Sequence, residues 1–380
     1  MRIAFVSLMG GLPWGGSEAL WTKTAHLALK DGHNVLVSVY DWGALHPEIK
    51  KLHEKGAKIH RRSRFESEGS IFYKTLLYFK NRISWINDAY MPIIRFNPGH
   101  IIVNQGDTFD ISIHHYPLYK LIKQNNIPFS LICHNHVQYG DIPQENVYPR
   151  AKNIFEQAKN VFFVSKRMQS IAERKLCTKL PNGRFTWNPL NLNETNYIPW
   201  PENTITQFAV VGNIMSGKGH DTLLECLAAS IWRTRTWHLN LYGKGQGEDY
   251  LKDLAAFYQL TDKITFHGHV SDVTEIWCNN HILLIPSAGE GLPISLIEAM
   301  ICGRPAVVTD VGGNTEVITE DVTGFIAEAP SVSSYSKALE KAWTNKEKWE
   351  EMGRNAQSFC IKNLDLNPGI SLLNTIIENL

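Results

Sequence analysis

Short apolar runs alternate with longer amphipathic stretches along most of the chain. The runs lie at 2–8, 34–40, 100–105, 129–135 and 161–165, and again at 208–214, 237–243, 263–269, 281–287 and 305–313. Helical patterns separate several of them, as in residues 18–33, where Leu20, Thr24 and Leu27 approximate one face and Gly32 provides a stop. Strands that alternate with helices predict βαβ units and an α/β fold with parallel sheets.

The alternation is interrupted once, at residues 186–207, which are rich in Asn, Pro and Thr. A chain of 380 residues is also longer than one hydrophobic core usually covers. We therefore predict an N-terminal domain over 1–188, a linker over 189–206, a C-terminal domain over 207–355 and one amphipathic helix over 356–380. Ligands of open α/β sheets bind at the carboxyl ends of the strands, so the loops that follow strands are the candidate sites.

Composition excludes several other classes of protein. Lys and Arg number 38 against 37 Asp and Glu, which argues against a nucleic-acid binder that relies on overall charge. The six cysteines form no CxxC pair and show no zinc-like spacing with histidine, so neither a metal site nor a disulfide framework is indicated. No apolar run approaches the roughly 20 residues that span a bilayer. We expect a cytoplasmic protein.

Three glycine-rich loops follow predicted strands. The first contains Gly15 and Gly16, the second places Lys218 before a glycine, and the third surrounds Lys244 with glycines. Glycines let a backbone approach a ligand, and a lysine near a helix start suits a diphosphate. Neither G-x-G-x-x-G nor a Walker loop is present, which argues against a dinucleotide or P-loop site. A flexible turn or a solvated lysine remains the alternative for each loop.

A fourth loop carries two carboxylates in the stretch GEGLPISLIEAMICGRP, residues 289–305. Glu290 lies in the loop, and Glu298 lies inside a helix predicted from about Pro293 through Met300. Five helical residues rise about 7–8 Å, and the free N–H groups of the helix start lie between the two acids. A ligand with hydroxyl groups at both ends and phosphate in the middle would match this arrangement. The two carboxylates therefore predict binding of a nucleotide sugar rather than of a metal ion.

The run 286–325 resembles the E-x7-E region of the GT-B glycosyltransferases of family 4, the glycosyl transferases group 1. Further matching pieces lie at 15–35, 127–136, 164–168, 188–189 and 264–273. The resemblance implies two Rossmann-like α/β domains that face each other across a deep cleft. In that fold the N-terminal domain binds the acceptor, the C-terminal domain binds the donor, and the C-terminal helix returns to the N-terminal domain.

The resemblance also implies roles for individual residues. His134, Lys218 and Glu290 correspond to the catalytic positions: the histidine near the transferred sugar, the lysine on the diphosphate and the glutamate on the sugar. Glu298 corresponds to the ribose-binding glutamate. The other donor-binding positions that the resemblance implies are Gly15, Gly16, His269, Val270, Gly291, Leu292, Pro293, Ser295 and Leu296.

One position departs from the family pattern, because Asn213 stands where an arginine is expected. Loss of a charge-assisted bond to the diphosphate costs on the order of 1.5–3 kcal/mol, about ten- to a hundredfold in rate. We expect Lys244, on a neighbouring loop, to substitute in part and to contact the donor.

The implied activity is retaining transfer from an NDP-sugar, most readily a UDP-sugar, without metal or cofactor. The acceptor is a hydroxyl of a glycan, a lipid-linked sugar or a small molecule. A sugar-nucleotide epimerase and a catalytically weak nucleotide-sugar-binding protein are the alternatives. Residues 61–96 mix basic and aromatic side chains, which is compatible with a segment bound to the inner membrane surface, with an acceptor wall or with core-packing helices.

Overall fold

A computed structural model describes residues 1–63, 89–134, 147–192 and 197–378 of the chain. The chain divides into two compact units. Unit 1 comprises Met1–Pro189 with Asn367–Leu380, and unit 2 comprises Leu190–Leu366. The first boundary falls beside the predicted linker, but most of that linker belongs to unit 2.

Unit 1 contains a parallel sheet of seven strands in the order β3-β2-β1-β4-β5-β6-β7. The strands are β1 (Arg2–Ser7), β2 (Asn34–Tyr40), β3 (Lys58–Arg62), β4 (His100–Asn104), β5 (Phe129–Cys133), β6 (Asn160–Phe163) and β7 (Gly183–Phe185). β4 and β5 are buried at every position, as strands covered on both faces should be. β3 and β7 were not among the predicted strands, because one is mostly polar and the other has three residues.

Seven helices connect these strands within the described ranges. They are α1 (Glu18–Lys30), α2 (Pro47–Glu54), α3 (Met91–Arg95), α4 (Asp110–Ile113), α5 (Tyr116–Gln124), α6 (Tyr148–Gln157) and α7 (Lys166–Leu176). α1 begins at Glu18 and is followed by Gly32 with φ +79°, as predicted. Leu20 and Trp21 of α1 pack against Phe5 and Val37, which places the core of unit 1 between α1 and the first two strands.

Unit 2 contains a parallel sheet of six strands in the order β10-β9-β8-β11-β12-β13. The strands are β8 (Thr206–Val211), β9 (Trp237–Tyr242), β10 (Ile264–Gly268), β11 (Ile282–Ile285), β12 (Ala306–Thr309) and β13 (Gly324–Ala327). The predicted α/β fold with parallel sheets is confirmed. The strand order reverses between β8 and β11, and the loops after these two strands lie at the position where α/β sheets bind ligands.

The helices of unit 2 are α8 (His220–Ala228), α9 (Ser230–Arg233), α10 (Glu248–Phe257), α11 (Val273–Asn279), α12 (Ile294–Ile301), α13 (Asn314–Val317), α14 (Val332–Thr344) and α15 (Trp349–Asn363). Phe208 of β8 packs against the rings of Trp232, Trp237 and Trp349, which form the centre of the core. α12 covers nearly the predicted residues, with Pro293 as its N-cap.

The prediction of one continuous helix over 356–380 is wrong. α15 ends at Asn363, and a separate helix α16 (Pro368–Glu378) begins after a short connection. Pro368 interrupts the apolar periodicity, because proline has no N–H for a helix interior and tolerates only a first turn. α15 belongs to unit 2, whereas α16 packs Leu372, Leu373 and Ile376 into the core of unit 1.

A buried arginine holds the start of unit 2 in place. Arg304 is fully buried and donates hydrogen bonds to the carbonyls of Ile198 at 3.0 Å and Pro199 at 2.7 Å. Its other donors reach the carbonyls of Trp277 and Asn280 at the end of α11. Since every acceptor is a backbone carbonyl, the guanidinium fixes residues 198–199 without a carboxylate partner.

Within the described ranges, no helix has both the length and the apolar composition needed to cross a bilayer.

Replacing Arg304 with methionine should lower the free energy of unfolding of unit 2 by about 3 kcal/mol or more, because several buried carbonyls lose a charged donor. The midpoint of thermal unfolding, followed by circular dichroism, measures the effect. The exposed Arg233 provides the matched control as Arg233→Met. Equal midpoints for the two variants would contradict the role given to Arg304.

Candidate functional site

Two loops meet where the strand order of unit 2 reverses. Lys218 lies in the loop after β8 and Glu290 in the loop after β11, and Lys218 Nζ lies 2.7 Å from Glu290 Oε1. Ser287 Oγ donates to the same carboxylate oxygen at 2.7 Å. The lysine side chain is 30% exposed and the glutamate 10%. Two of the predicted catalytic residues are therefore in direct contact, and Ser287 is a partner that the sequence analysis missed.

Glycines allow the loops around this pair to touch main chain to main chain. A Cβ atom on Gly219 would lie 2.1 Å from the Pro286 carbonyl oxygen, and one on Gly312 would lie 2.0 Å from that of Glu290. Both glycines also have positive φ. The Gly313 N–H donates to the Gly291 carbonyl at 2.6 Å. The backbone of the Glu290 loop is thus held on two sides.

The start of α12 follows directly on this loop. Gly291 and Leu292 are buried, whereas Pro293 and Ser295 are partly exposed. The Leu296 N–H donates to the Pro293 carbonyl at 3.2 Å. The first N–H groups of an α-helix have no partner within the helix and carry its positive dipole end. The loop therefore presents backbone donors beside the Lys218 ammonium, which together suit an anion.

Glu298 lies one turn into α12 and is 3% exposed. Its Oε1 accepts a hydrogen bond from the Asn191 backbone N–H at 2.9 Å. This contact ties the carboxylate to the segment that joins the two units in sequence. The predicted ribose contact of Glu298 stays a prediction.

Asn213 and Lys244 lie on loops that pack against each other. The Ile214 N–H donates to the Lys244 carbonyl at 3.1 Å, and a Cβ on Gly243 would lie 1.9 Å from the Gly212 carbonyl oxygen. Both side chains are exposed. The structure thus brings the Lys244 loop beside the position where the family arginine is missing.

The loop after β10 carries His269, which is exposed, and Val270, which is partly buried. Val270 lines a cavity of about 300 Å³ together with Tyr242, His267 and Asn240. His267 stacks on Tyr242 with ring centroids 4.5 Å apart, and its Nε2–H donates to Asn240 Oδ1, 2.8 Å away. The predicted contact of His269 and Val270 with a base stays a prediction, and the structure adds a polar cavity next to it.

In unit 1 the glycine-rich loop leads into α1. The Gly15 and Gly16 carbonyls accept hydrogen bonds from the N–H groups of Glu18 and Ala19 at 3.0 and 3.3 Å. Glu18 is buried and accepts from Ser7 Oγ, Trp21 Nε1 and Asn104 Nδ2 at 2.9 to 3.0 Å. The loop is therefore anchored to the strand ends through Glu18, a residue to which the sequence analysis gave no role.

His134 follows β5 and is linked to the same carboxylate. Its Nε2 lies 2.7 Å from Asn104 Oδ1, and the Asn104 amide in turn donates to Glu18. Because Asn104 presents its oxygen, His134 donates from Nε2 and keeps Nδ1 unprotonated. Nδ1 is buried, and the Asn188 side chain interacts with the imidazole and favours its protonated form. Burial lowers the pKa of His134 to about 4, so the imidazole is neutral at pH 7.

Asn104 and Glu18 have only weak signals in the local sequence. Asn104 ends a strand and Glu18 starts a helix, but no spacing in the sequence joins them to His134, since the contacts span 86 and 30 residues.

Most of the basic and aromatic segment predicted over 61–96 lies outside the described residues. Among those described, no cluster of three His, Cys, Asp or Glu side chains has the arrangement of a metal site.

Glu18 provides a pH test of this network. Burial raises the pKa of Glu18 to about 7, against the opposing effect of its hydrogen bonds and of Arg62. Since the folded pKa lies above the unfolded value, the carboxyl contributes stability below about pH 4.5 that is lost as the pH rises through about 7. The free energy of unfolding of Glu18→Gln, relative to the unmodified protein, should therefore rise by about 3 kcal/mol across this window.

Denaturant unfolding at a series of pH values measures this difference. The exposed Glu54 supplies the control, since Glu54→Gln should show a nearly constant difference over the same range. A pH-independent difference for Glu18→Gln would contradict the buried, titrating carboxyl.

Comparison with known proteins shows what the chain is similar to. Residues 200–359 match the sequence model of the family described as "Glycosyl transferases group 1". An uncharacterized glycosyltransferase of Haemophilus influenzae is 31% identical over 167 residues, which cover 43% of this chain and 46% of that protein. A D-inositol 3-phosphate glycosyltransferase of Gordonia bronchialis is 32% identical over 158 residues, 39% of this chain and 34% of the relative. The match thus covers less than half of either relative.

Solved structures extend the similarity to the whole fold. The Anabaena protein HepE in complex with UDP has a TM-score of 0.74 at 16% identity, with 100% of both chains covered. Staphylococcus aureus TarM, in a complex with UDP, has a TM-score of 0.70 at 12% identity over 100% of this chain and 99% of TarM. These likenesses show the fold, two Rossmann-like α/β units. Residues 200–359 are thus similar to the glycosyl transferases group 1, in agreement with the resemblance seen in the sequence.

Proposed function

We propose that this protein is a retaining glycosyltransferase that moves a sugar from an NDP-sugar, most readily a UDP-sugar, to an acceptor hydroxyl. The observation that carries the proposal is the Lys218–Glu290 contact at the start of α12, inside the region that matches the family. A cation, a helix N-terminus and a carboxylate within one loop cluster suit a diphosphate joined to a polyhydroxyl group. The UDP complexes of HepE and TarM support the choice of base.

Each residue of the cluster has a distinct part in the proposed reaction. The Lys218 ammonium and the N–H groups of Gly291 to Leu296 stabilise the charge that develops on the leaving diphosphate. Glu290 accepts hydrogen bonds from hydroxyls of the transferred sugar, and Glu298 accepts those of the ribose. Because Lys218 Nζ lies 2.7 Å from Glu290 Oε1, the donor must share the lysine with this carboxylate. The same ion pair orients the lysine.

In unit 1 the neutral His134 acts through hydrogen bonds and not as a charged acid. Its Nε2–H donates to Asn104, so Nδ1 is the ring atom that can accept a hydrogen bond from a hydroxyl of the transferred sugar. Retention follows if the acceptor hydroxyl attacks from the face that the diphosphate leaves and passes its proton to that phosphate. The reaction as proposed needs no metal or cofactor. The acceptor is a glycan, a lipid-linked sugar or a small molecule.

A thermal-shift screen with UDP-, GDP-, ADP- and dTDP-sugars tests the donor assignment. One nucleotide series, expected to be UDP, should raise the melting temperature, and Lys218→Met should weaken its binding about tenfold or more through loss of a charge-assisted bond. Glu298→Ala should remove the shift. Lys252→Met, an exposed lysine of unit 2, is the matched control and should behave as the unmodified protein.

The products formed from the bound donor then separate the candidate activities. Transfer to an acceptor with the anomeric configuration of the donor retained supports the proposal. An epimer formed from the UDP-sugar alone would replace it with an epimerase. Tight binding with neither transfer nor hydrolysis across an acceptor panel would indicate a nucleotide-sugar-binding protein.

Lys244 tests how the chain manages without the family arginine. We propose that it contributes charge to the diphosphate site in place of a cation at 213, because its loop packs against Ile214. Lys244→Glu should then abolish donor binding in the thermal-shift assay, while Lys252→Glu on the following helix should retain it. Unchanged donor binding in Lys244→Glu would remove Lys244 from the site.

A further inference from the structure

One face of the sheet of unit 2 is polar where a parallel strand is usually apolar. In β9, core residues alternate with His238, Asn240 and Tyr242, which therefore share the opposite face of the strand. A parallel strand that is covered by apolar helices on both faces reads as a nearly continuous apolar run. The alternation in β9 thus indicates that its second face meets polar groups.

A cavity of about 300 Å³ lies on this face. Residues of β8, β9, β10 and α11 line it, among them Gln207, Tyr242, His267 and Glu275. Its volume is at the lower end of the range for small-molecule sites. None of the described residues that line it is a lysine or an arginine, and Glu275 contributes a carboxylate. The lining is therefore unsuited to a phosphate or another anion.

A chain of side-chain amides fixes which groups of this face donate and which accept. The Asn280 amide donates to the Ile276 carbonyl at 2.7 Å and to Tyr242 Oη at 2.9 Å, so its oxygen accepts. Asn240 accordingly donates to Asn280 Oδ1 and to Gln207 Oε1, both at 2.9 Å. Because a main-chain carbonyl can only accept, the Ile276 contact sets the orientation of both asparagines.

This chain of hydrogen bonds ends at residues that line the cavity. Asn240 uses both amide protons, so its Oδ1 accepts the Nε2–H of His267 at 2.8 Å, and His267 Nδ1 carries no proton. Burial lowers the pKa of His267, which keeps the ring neutral at pH 7. Gln207 and Tyr242 accept through their oxygens and therefore keep the amide and hydroxyl protons for donation. The lining thus combines fixed donors with fixed acceptors.

We propose that this cavity binds an uncharged sugar ring, separate from the sugar of the donor. Each sugar hydroxyl both donates and accepts a hydrogen bond, which matches a lining in which Gln207 and Tyr242 donate while His267 and Glu275 accept. A uracil base offers only a single N–H to such acceptors, whereas a hexose offers several O–H groups. The inference goes beyond the proposed function and does not depend on it, because the cavity takes part in neither diphosphate binding nor transfer.

NMR of the full chain with isotope-labelled histidine tests this site. The ring signals of His267 are identified by their loss in His267→Phe, and the Nδ1 signal should be that of an unprotonated ring nitrogen. The probes are the methyl glycosides of glucose, galactose and mannose, and N-acetylglucosamine, each titrated in the presence of saturating UDP. At least one of them should move the His267 signals with a saturable dependence on its concentration.

Two exposed glutamates provide matched variants. Glu275→Met should weaken sugar binding, followed through His267, about tenfold, because a charge-assisted hydrogen bond is lost. Glu225→Met should retain the affinity, since Glu225 lies on α8 and is not among the lining residues. Both side chains are exposed, so neither change disturbs the core. Equal affinities of the two variants, or no response of His267 to any of the sugars, would overturn the inference.

The nucleotide is the competing occupant, because Val270, which was predicted to contact the base, also lines the cavity. UDP binding is therefore followed by thermal shift in both variants. Loss of the UDP-induced shift in Glu275→Met but not in Glu225→Met would assign the cavity to the nucleotide and reject the sugar site. A sugar that moves the His267 signals of a protein that UDP does not stabilise would support the inference and contradict the donor assignment.

Discussion

Contact between the main chains of neighbouring loops is the constraint on which the candidate site of unit 2 depends. A Cβ on Gly219, Gly243, Gly245 or Gly312 would lie within about 2.1 Å of a carbonyl oxygen on another loop. At this distance no side chain fits, so the loops can pack this closely only where glycine stands. The loops bearing Lys218, Lys244 and Glu290 are thereby fixed by backbone rather than by side-chain packing. The Lys244 side chain is exposed, and those of Lys218 and Glu290 pair with each other.

Unit 1 positions its polar groups in a different way. Its strand ends are joined by side-chain hydrogen bonds that centre on the buried Glu18 and run through Asn104 to His134. Such a network is rigid only if each member is satisfied. Burial raises the pKa of the carboxyl and lowers those of the histidines. His134 and His115 are therefore neutral at pH 7 and act through hydrogen bonds.

The sequence predicted the parts of this structure that depend on local pattern. Alternating apolar runs and amphipathic stretches predicted the parallel α/β fold, and Pro293 with the following apolar run predicted α12. The break before Pro368 was missed, because periodicity on both sides concealed it. β3 was not predicted because most of its residues are polar. One of them, Arg62, packs against the ring of Tyr40. This packing is a tertiary contact, which no local pattern contains.

Within the candidate site, the residues recognised from the sequence are those with local signatures, namely acids near a helix start and lysines beside glycines. Ser287, Asn104 and Glu18 carry no such signature, since their importance lies in contacts with residues distant in sequence. Position 213, where asparagine stands in place of the arginine expected from the resemblance, also has to be considered with its neighbours. The charge of a site depends on every loop that meets there, not on one position. In this chain the Ile214 N–H donates to the Lys244 carbonyl, so the charge next to Asn213 depends on both loops.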